Sequence, residues 1–314
     1  MRAVIATDFN TEPELAELPV PEPGPGEVLV RLEAAGVNPF DWKVVDGALR
    51  EQADHAFPIV LGSDGAGVVE LVGPGVTSLA PGDRVFGQFM DVERGRGSYA
   101  EFALAPAEGK LAHLPTTLPF DLAAALPTAS AAAHDFVAAT GLGSGQTLLI
   151  NGASGGVGQS AVQLAAAKGM RVIGTTDPAT AEYLRELGAK EVVDFTEAPA
   201  VDQVRLAHPD GVDAVVDLVS GPDQIKAVAG LLKPGGTIIS SNTAVDPEAL
   251  AERGLQGANL YAQATPKTLG SLAESVVNGE LKVRIDFKAP LAEAPTALAR
   301  SRAGSARGKT VLSI

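Results

Sequence analysis

The sequence predicts an α/β protein of two domains, one rich in β-strands and one built on a doubly wound parallel sheet. The chain has 314 residues, which is enough for about two domains. Its first 120 residues are short alternating segments separated by glycine and proline, the pattern of strands and turns. From residue 121 short apolar runs alternate with helix-like runs. Such alternation indicates parallel strands joined by crossover helices.

The first domain, residues 1–120, is predicted to be a distorted β-barrel. The segment Glu27–Ala34 alternates apolar and charged residues, as a half-buried strand does. Leu79–Gly87 is a Pro-Gly-Asp turn that leads into a strand. We expect residues 266–314 to complete this domain, because their strand-like pieces can return to its sheet.

The second domain, residues 121–265, begins with an Ala-rich region and continues as alternating strands and helices. Two strand-like runs, Thr147–Asn151 and Arg171–Thr176, enclose a helix-like run that ends at Gly169. The stretch LLKPGG, residues 231–236, is interpreted as the end of a later helix, with glycine just beyond it.

Composition excludes several classes of function. The net charge of −14 disfavours nucleic acid and anionic membrane surfaces as partners. The chain has no cysteine, so disulfides, thiol nucleophiles and thiolate metal sites are excluded. No apolar run is long enough to span a bilayer, and the first 20 residues do not resemble a signal peptide. We therefore expect a cytoplasmic protein.

The stretch NGASGGVG, residues 151–158, joins the first strand of the second domain to a helix. A strand, a glycine turn, a helix and a second strand within about 30 residues form the context of a dinucleotide site. Glycine lets the backbone approach a pyrophosphate, which the helix N–H groups then face. A tightly packed turn without a ligand is the alternative. The predicted cofactor-binding residues here are Gly152, Ser154, Gly155, Gly156, Val157 and Gly158.

Several motifs in order resemble the medium-chain dehydrogenase/reductases, and more narrowly their zinc-independent quinone oxidoreductase branch. They cover almost the whole chain: AAGVNPFDWKVVDG (34–47), PIVLGSDGAGVVELVGPGV (58–76), PGDRVFG (81–87), GSYAEFALAP (97–106), the glycine turn, and ARGKTVL near the end. The resemblance implies a GroES-like catalytic barrel, a Rossmann domain, a C-terminal return to the barrel, and a nicotinamide cofactor.

The zinc-containing members of that family carry Gly-His-Glu where this chain has Gly62-Ser63-Asp64. Both the catalytic and the structural zinc sites of the family use cysteine, so no metal is expected. Without zinc, alcohol oxidation lacks its Lewis acid, whereas reduction of an electrophilic acceptor remains feasible. We therefore expect NADPH-dependent reduction of small quinones or α,β-unsaturated carbonyls. Alternatives are an enoyl-thioester or other specialised double-bond reductase, and an NADPH-binding protein without turnover.

The resemblance suggests Asn38 and Lys43 as catalytic residues. Asn38 would lie near the nicotinamide ribose and also contribute to cofactor binding; a turn-forming role for Asn-Pro is equally compatible. Lys43 shares the NPxDxK pattern of the plant enone and alkenal reductases, and a solvated helix lysine is its alternative. Asp41 is expected to cap the helix that follows Pro39. Ala132 replaces a threonine that is common near the nicotinamide, and Thr128 or Ser130 is its expected substitute.

Further cofactor contacts are expected at the ends of later strands, where ligands bind in such sheets. Thr175 and Thr176 are expected to donate to a 2′-phosphate, which favours NADPH over NADH. Asp177 has nearly the spacing of the acid that binds NAD, but it follows the strand end by one residue and should point elsewhere. By resemblance, Val219, Ser240, Ser241 and Asn242 contact ribose and nicotinamide. The resemblance also suggests a homodimer joined near Gly257–Gln263.

Overall fold

A computed structural model describes all residues from Met1 to Ile314. The strands are β1 Arg2–Ala6, β2 Glu14–Glu17, β3 Glu27–Val37, β4 Ile59–Val60, β5 Asp64–Val72, β6 Arg84–Gln88, β7 Phe102–Pro106, β8 Leu111–His113, β9 Thr147–Asn151, β10 Arg171–Thr176, β11 Glu191–Asp194, β12 Val212–Asp217, β13 Leu232–Ser240, β14 Gln256–Asn259, β15 Ile285–Pro290 and β16 Lys309–Ser313. The helices are α1 Pro39–Val45, α2 Phe120–Ala124, α3 Pro127–Ala139, α4 Gly156–Ala167, α5 Pro178–Glu186, α6 Ala200–Ala207, α7 Pro222–Ala229, α8 Pro247–Ala251, α9 Pro266–Val277 and α10 Ala294–Arg302. None of these helices is long and apolar enough to cross a membrane.

The chain forms two compact units. The first consists of Met1–Ala131 together with Ala264–Ile314, and the second of Ala132–Gln263. The first change of unit falls within α3, whereas the boundary was predicted near residue 121, earlier in the same Ala-rich region. The return of the chain falls just before α9.

The first unit is built around β3, which is buried at nearly every position. β5 pairs with it along most of its length. Its other side is shared by two strands, β7 along Glu27–Arg31 and β16 along Ala34–Val37. These strands belong to a seven-stranded sheet, and β2, β1 and β4 form a smaller three-stranded sheet. Because β16 comes from the end of the chain, the sheet built around β3 also contains the last strand of the protein.

The second unit is a six-stranded sheet in the order β11-β10-β9-β12-β13-β14. All of its pairs are parallel. Leu148 and Ile150 of β9 pack into one apolar cluster while Leu149 packs into another, so helices cover both faces. The strand order reverses between β9 and β12, and ligands of doubly wound folds bind at the carboxyl ends of the strands beside such a reversal. The predicted fold class is confirmed.

One element differs from its prediction. The stretch at 231–236 was interpreted as the end of a helix, but α7 ends at Ala229 and most of the stretch opens β13, which begins at Leu232. The register between β12 and β13 is irregular at this point. Gly235 has φ +78°, a conformation that favours glycine. The two glycines therefore lie in the irregular first part of β13 and do not mark the end of a helix.

Candidate functional site

The glycine turn lies between β9 and α4, at the carboxyl end of the parallel sheet. Gly152 has φ +94°, which only glycine adopts without strain. A Cβ at Gly158 would lie 2.3 Å from the Gly152 carbonyl oxygen, so α4 can approach the turn only because Gly158 has no side chain. These two glycines are required by the backbone itself.

The N-terminus of α4 offers N–H donors to a ligand. Gly155 occupies the N-cap position, and no side chain caps the helix there. A Cβ at Gly155 would meet nothing closer than 3.8 Å, so the backbone is open on that side. The side-chain amide of Gln159 donates to the backbone carbonyl of Ser154, at 2.7 Å, and so does not cap these N–H groups. Uncapped N–H groups and the positive end of a helix suit a phosphate, so these residues fit the pyrophosphate of a dinucleotide.

Thr175 and Thr176 end β10 beside this turn, and the structure gives them different environments. The Thr175 hydroxyl donates its one proton to Asn151 Oδ1 at 2.9 Å and accepts the Gly152 N–H at 2.9 Å. It therefore has no proton left for the 2′-phosphate donation expected from the sequence. The Thr176 hydroxyl is buried without a hydrogen-bond partner. Asp177 accepts from the hydroxyl of Thr180 in α5, at 3.1 Å.

The remaining predicted cofactor residues of this unit lie at the ends of β12 and β13. Val219 is exposed and lies beside the turn, since a Cβ at Gly152 would come within 2.7 Å of its side chain. Asn242 Nδ2 donates to the carbonyl of Leu218 at 3.3 Å, which ties the loop after β13 to the loop after β12. The Ser240 hydroxyl, fully buried, accepts the Asn242 N–H, and the Ser241 N–H donates to the carbonyl of Asp217. These residues and the glycine turn therefore share one edge of the sheet.

In the first unit, Asn38 is buried and both ends of its amide are engaged. Its Oδ1 accepts from Lys309 Nζ at 2.5 Å, and its Nδ2 donates to Asp64 Oδ2 at 2.9 Å. Lys309 also donates to the carbonyl of Val37, at 2.9 Å. Burial lowers the pKa of Lys309, and the carboxylates of Asp64 and Asp41 oppose this shift. Burial raises the pKa of Asp64, and the charge of Lys309 opposes that shift in turn.

Asp41 is a second buried carboxylate next to this group. Its Oδ2 accepts the Asn38 N–H at 2.8 Å, so the predicted capping role is confirmed. The other partners are the N–H and hydroxyl of Ser63 and the hydroxyl of Tyr99, at 2.9, 2.6 and 2.7 Å. Burial raises the pKa of Asp41 to about 6, although these hydrogen bonds work against the rise. Burial and the Asp41 charge also raise the pKa of Tyr99.

Lys43 and Thr128 have contrasting surroundings. Lys43 lies in the last turn of α1, half-buried, with its ammonium 5.7 Å from the ring centroid of Trp42. Partial burial lowers its pKa. The Thr128 hydroxyl donates to Asp64 Oδ1 at 2.6 Å and accepts from Gln88 at 2.8 Å. The Thr128 side chain therefore supports Asp64. Lys43, by contrast, carries a half-buried ammonium whose pKa is lowered.

Comparison with known proteins places the chain in a family. Residues 24–116 match the alcohol dehydrogenase GroES-like domain, and residues 187–312 match the family described as zinc-binding dehydrogenase. The chloroplastic quinone-oxidoreductase QR1 of Triphysaria versicolor is 33% identical over 94% of this chain and 92% of its own length. The chain belongs to the quinone oxidoreductase branch of the medium-chain dehydrogenase/reductases.

Two further similarities extend over nearly the whole chain. The 2-methylene-furan-3-one reductase of Solanum lycopersicum is 32% identical over 99% of this chain and 79% of its own length. A mycobacterial protein solved in complex with NADPH has a TM-score of 0.88 and is 30% identical, with 100% of both chains covered. The predicted family is therefore confirmed along the chain.

The residues around Gly62-Ser63-Asp64 are held together by hydrogen bonds among their own side chains. Ser63 donates to Asp41, and Asp64 accepts from Asn38 and Thr128. Nowhere in the chain do three or more His, Asp or Glu side chains group in a way that could hold a metal ion. Positive charge in this neighbourhood comes instead from the buried ammonium of Lys309.

Sequence reasoning missed four residues that organise these sites: Tyr99, Asn151, Asp217 and Lys309. Lys309 lies in the segment ARGKTVL, which was used only to support the resemblance. A lysine beside an apolar strand is a weak signal by itself, because most lysines are exposed. Asn151 and Asp217 each end a strand at the ligand-binding edge, which was the available signal for them.

Proposed function

We propose that this protein is an NADPH-dependent, zinc-free reductase of small quinones or α,β-unsaturated carbonyls. The observation that carries the proposal is the glycine turn, with its uncapped helix N-terminus beside the strand reversal of a Rossmann sheet. A bound reduced nicotinamide supplies a hydride. The names of the two relatives, a quinone oxidoreductase and a furanone reductase, support these two classes of acceptor.

In this proposal the chain's own residues bind the cofactor and stabilise charge. The N–H groups of Gly156 and Val157, at the start of α4, bind the pyrophosphate. Thr176 donates its unsatisfied hydroxyl proton toward a 2′-phosphate. Val219 and residues 240–242 border the ribose and nicotinamide.

Lys43 is proposed to stabilise the negative charge that develops on the acceptor's carbonyl oxygen. Such a donor raises kcat when it interacts more strongly with the transition state than with the ground state. Asn38 is proposed to contribute near the nicotinamide ribose through the part of its amide that Lys309 and Asp64 leave available. Zinc has no role in the proposal, because the residues around Asp64 bond to one another and include no cysteine or histidine.

A homodimer and a cytoplasmic location are also part of the proposal. β14 is the edge strand of the six-stranded sheet, and an unpaired edge can pair with another copy. The contact would lie near Gly257–Gln263. Light scattering should then give twice the chain mass of 31.9 kDa. The lack of cysteine supports the cytoplasmic location.

The test is a screen of acceptors that follows the absorbance of NADPH. Purified protein is mixed with NADPH and a panel of quinones, alkyl enones and enoyl thioesters, and binding of NADPH is measured separately. Turnover with quinones or enones supports the proposal. Turnover restricted to enoyl thioesters would move the protein to a different acceptor class, and binding without any turnover would make it a cofactor-binding protein.

A further inference from the structure

A chain of hydrogen bonds runs behind the glycine turn, from the end of β12 to the first peptide of the turn. It begins at Asp217, a fully buried carboxylate. Asp217 Oδ2 accepts from Asn151 Nδ2 at 2.7 Å and from the Ser220 hydroxyl at 2.7 Å. Its Oδ1 accepts the Ser220 N–H at 2.7 Å and the Val219 N–H at 3.2 Å. The carboxylate is therefore held by four donors in one orientation.

Asp217 fixes the orientation of the Asn151 amide. A carboxylate accepts hydrogen bonds, so the Asn151 NH₂ must face it and the Asn151 Oδ1 must face away. The Asn151 Oδ1 lies toward β10, where it takes the hydroxyl proton of Thr175 at 2.9 Å. With its proton committed to Asn151, the Thr175 oxygen presents a lone pair to the Gly152 N–H. Each hydrogen bond from Asp217 to Gly152 therefore fixes which atom donates in the next one.

Thr175 holds the turn at two consecutive peptides. Its hydroxyl accepts the Gly152 N–H, and its backbone carbonyl accepts the Ala153 N–H at 3.0 Å. The carbonyl oxygen of Gly152 is also the atom that a Cβ at Gly158 would meet first, at 2.3 Å, so the start of α4 packs against this peptide. A shift of the Gly152 peptide would therefore move the start of α4, which carries the donors of the proposed pyrophosphate site.

We propose that Asp217, Asn151 and Thr175 are positioning residues that set the geometry of the pyrophosphate site through the Gly152 peptide. This Asp217 relay rests on the proposed function in one respect, that the glycine turn binds a dinucleotide. It assigns Thr175 to the pyrophosphate part of the cofactor rather than to the 2′-phosphate. NADH and NADPH share the pyrophosphate and differ in the 2′-phosphate, so the two assignments predict different patterns of affinity.

The test compares Thr175→Val, which keeps the branched shape and removes the hydroxyl, with Thr175→Ser, which keeps the hydroxyl. Dissociation constants for NADPH and NADH are measured by titration. Loss of the acceptor for a backbone N–H should weaken binding by about tenfold. We expect this loss in Thr175→Val to be equal for the two cofactors and mostly restored in Thr175→Ser. Thr147→Val, at the opposite end of β9, is the matched control and should bind as the wild type does.

A second variant tests the relay as a connected unit. Asn151→Ala removes the acceptor that orients the Thr175 hydroxyl, and it should weaken both cofactors to a similar extent. The Asn151→Ala/Thr175→Val double variant should bind about as well as either single variant, because both break the same path. Fully additive losses would overturn the relay, and so would wild-type binding by Thr175→Val. A loss confined to NADPH would return Thr175 to the 2′-phosphate.

Amide hydrogen exchange separates failure of this proposal from failure of the proposed function. Wild-type protein that binds neither cofactor would refute the proposed function. In that case the relay is judged by exchange at Gly152 in the free protein. Exchange that is about tenfold faster in Thr175→Val than in wild type supports the relay, because its N–H acceptor has been lost. Unchanged exchange overturns it.

Discussion

Lys309 Nζ donates to Asn38 Oδ1 at 2.5 Å, and this bond joins the last strand of the chain to the first helix. It turns the Asn38 Nδ2 toward Asp64. Asn38 therefore has the local hydrogen bonds of the turn-forming role, and its amide has one defined orientation, while its place near the nicotinamide ribose stays a prediction. The ammonium responsible for that orientation is 271 residues away along the chain.

Replacing Lys309 by methionine should destabilise the protein strongly. The variant Lys309→Met keeps the length of the side chain but leaves Asp64 and Asp41 buried without their cation. Breaking a buried charged network by removing one partner typically costs about 3–5 kcal/mol. Urea unfolding measures the loss.

Lys267 provides the control for this prediction, since it is exposed in the same unit. Lys267→Met should change the free energy of unfolding by no more than about 0.5 kcal/mol. The Lys309→Met/Asp64→Asn double variant should be less destabilised than the sum of its single variants, because a charge of each sign is removed. Simple additivity would show that Lys309 and Asp64 do not interact.

Asp41 should make stability depend on pH. Its pKa is raised by burial from an ordinary value of 3.8 to about 6, so the folded protein binds this proton more tightly than the unfolded chain does. The resulting stabilisation is complete below about pH 3.8 and is lost as pH rises through about 6. Relative to Asp41→Asn, the wild-type free energy of unfolding should fall by about 3 kcal/mol over this range. A difference between the two proteins that is constant with pH would refute the raised pKa.

The sequence predicted the parallel sheet and the glycine turn because both are local. Gly152–Gly158 can be interpreted from one strand, one turn and one helix that are adjacent in the chain. The environment of Asn38 could not be predicted, because it depends on Lys309 and on the antiparallel pairing of β16 with β3. Thr175 was placed at the correct strand end, but its proton goes to Asn151, an amide whose orientation is fixed by a third strand.

The protein should contain no stoichiometric zinc. The chain has no cysteine, and the residues around Asp64 are bonded to one another. Elemental analysis of protein prepared without chelators is the measurement. About one zinc per chain, removed together with activity, would refute the zinc-free mechanism.

Lys43→Met should lower kcat by about tenfold or more while leaving the affinity for NADPH nearly unchanged. The expected reason is loss of the cation that stabilises the developing negative charge on the acceptor oxygen. Steady-state kinetics with one quinone and one enone measure the effect. Lys110→Met, an exposed lysine of the same unit, should behave as wild type. A wild-type kcat for Lys43→Met on every accepted substrate would show that Lys43 does not stabilise charge on the acceptor.

NADPH should be preferred over NADH, with modest discrimination. Thr176 has a buried hydroxyl without a partner, but residues 178–184 contain no lysine or arginine to pair with a 2′-phosphate. The ratio of kcat/KM values for the two cofactors is the measurement. Equal values, or a higher value with NADH, would contradict the prediction.

The arrival of Lys309 on β16 has a consequence for how the protein is made. The ribosome releases β9 to β14, which complete the parallel sheet, before it releases β16. Domains generally fold as units during synthesis. The second unit can therefore fold while the first still lacks β16, one of the strands that pair with β3, and the Lys309 ammonium that faces its two buried carboxylates. In the nascent chain, the unit whose synthesis starts first is therefore the last to be completed.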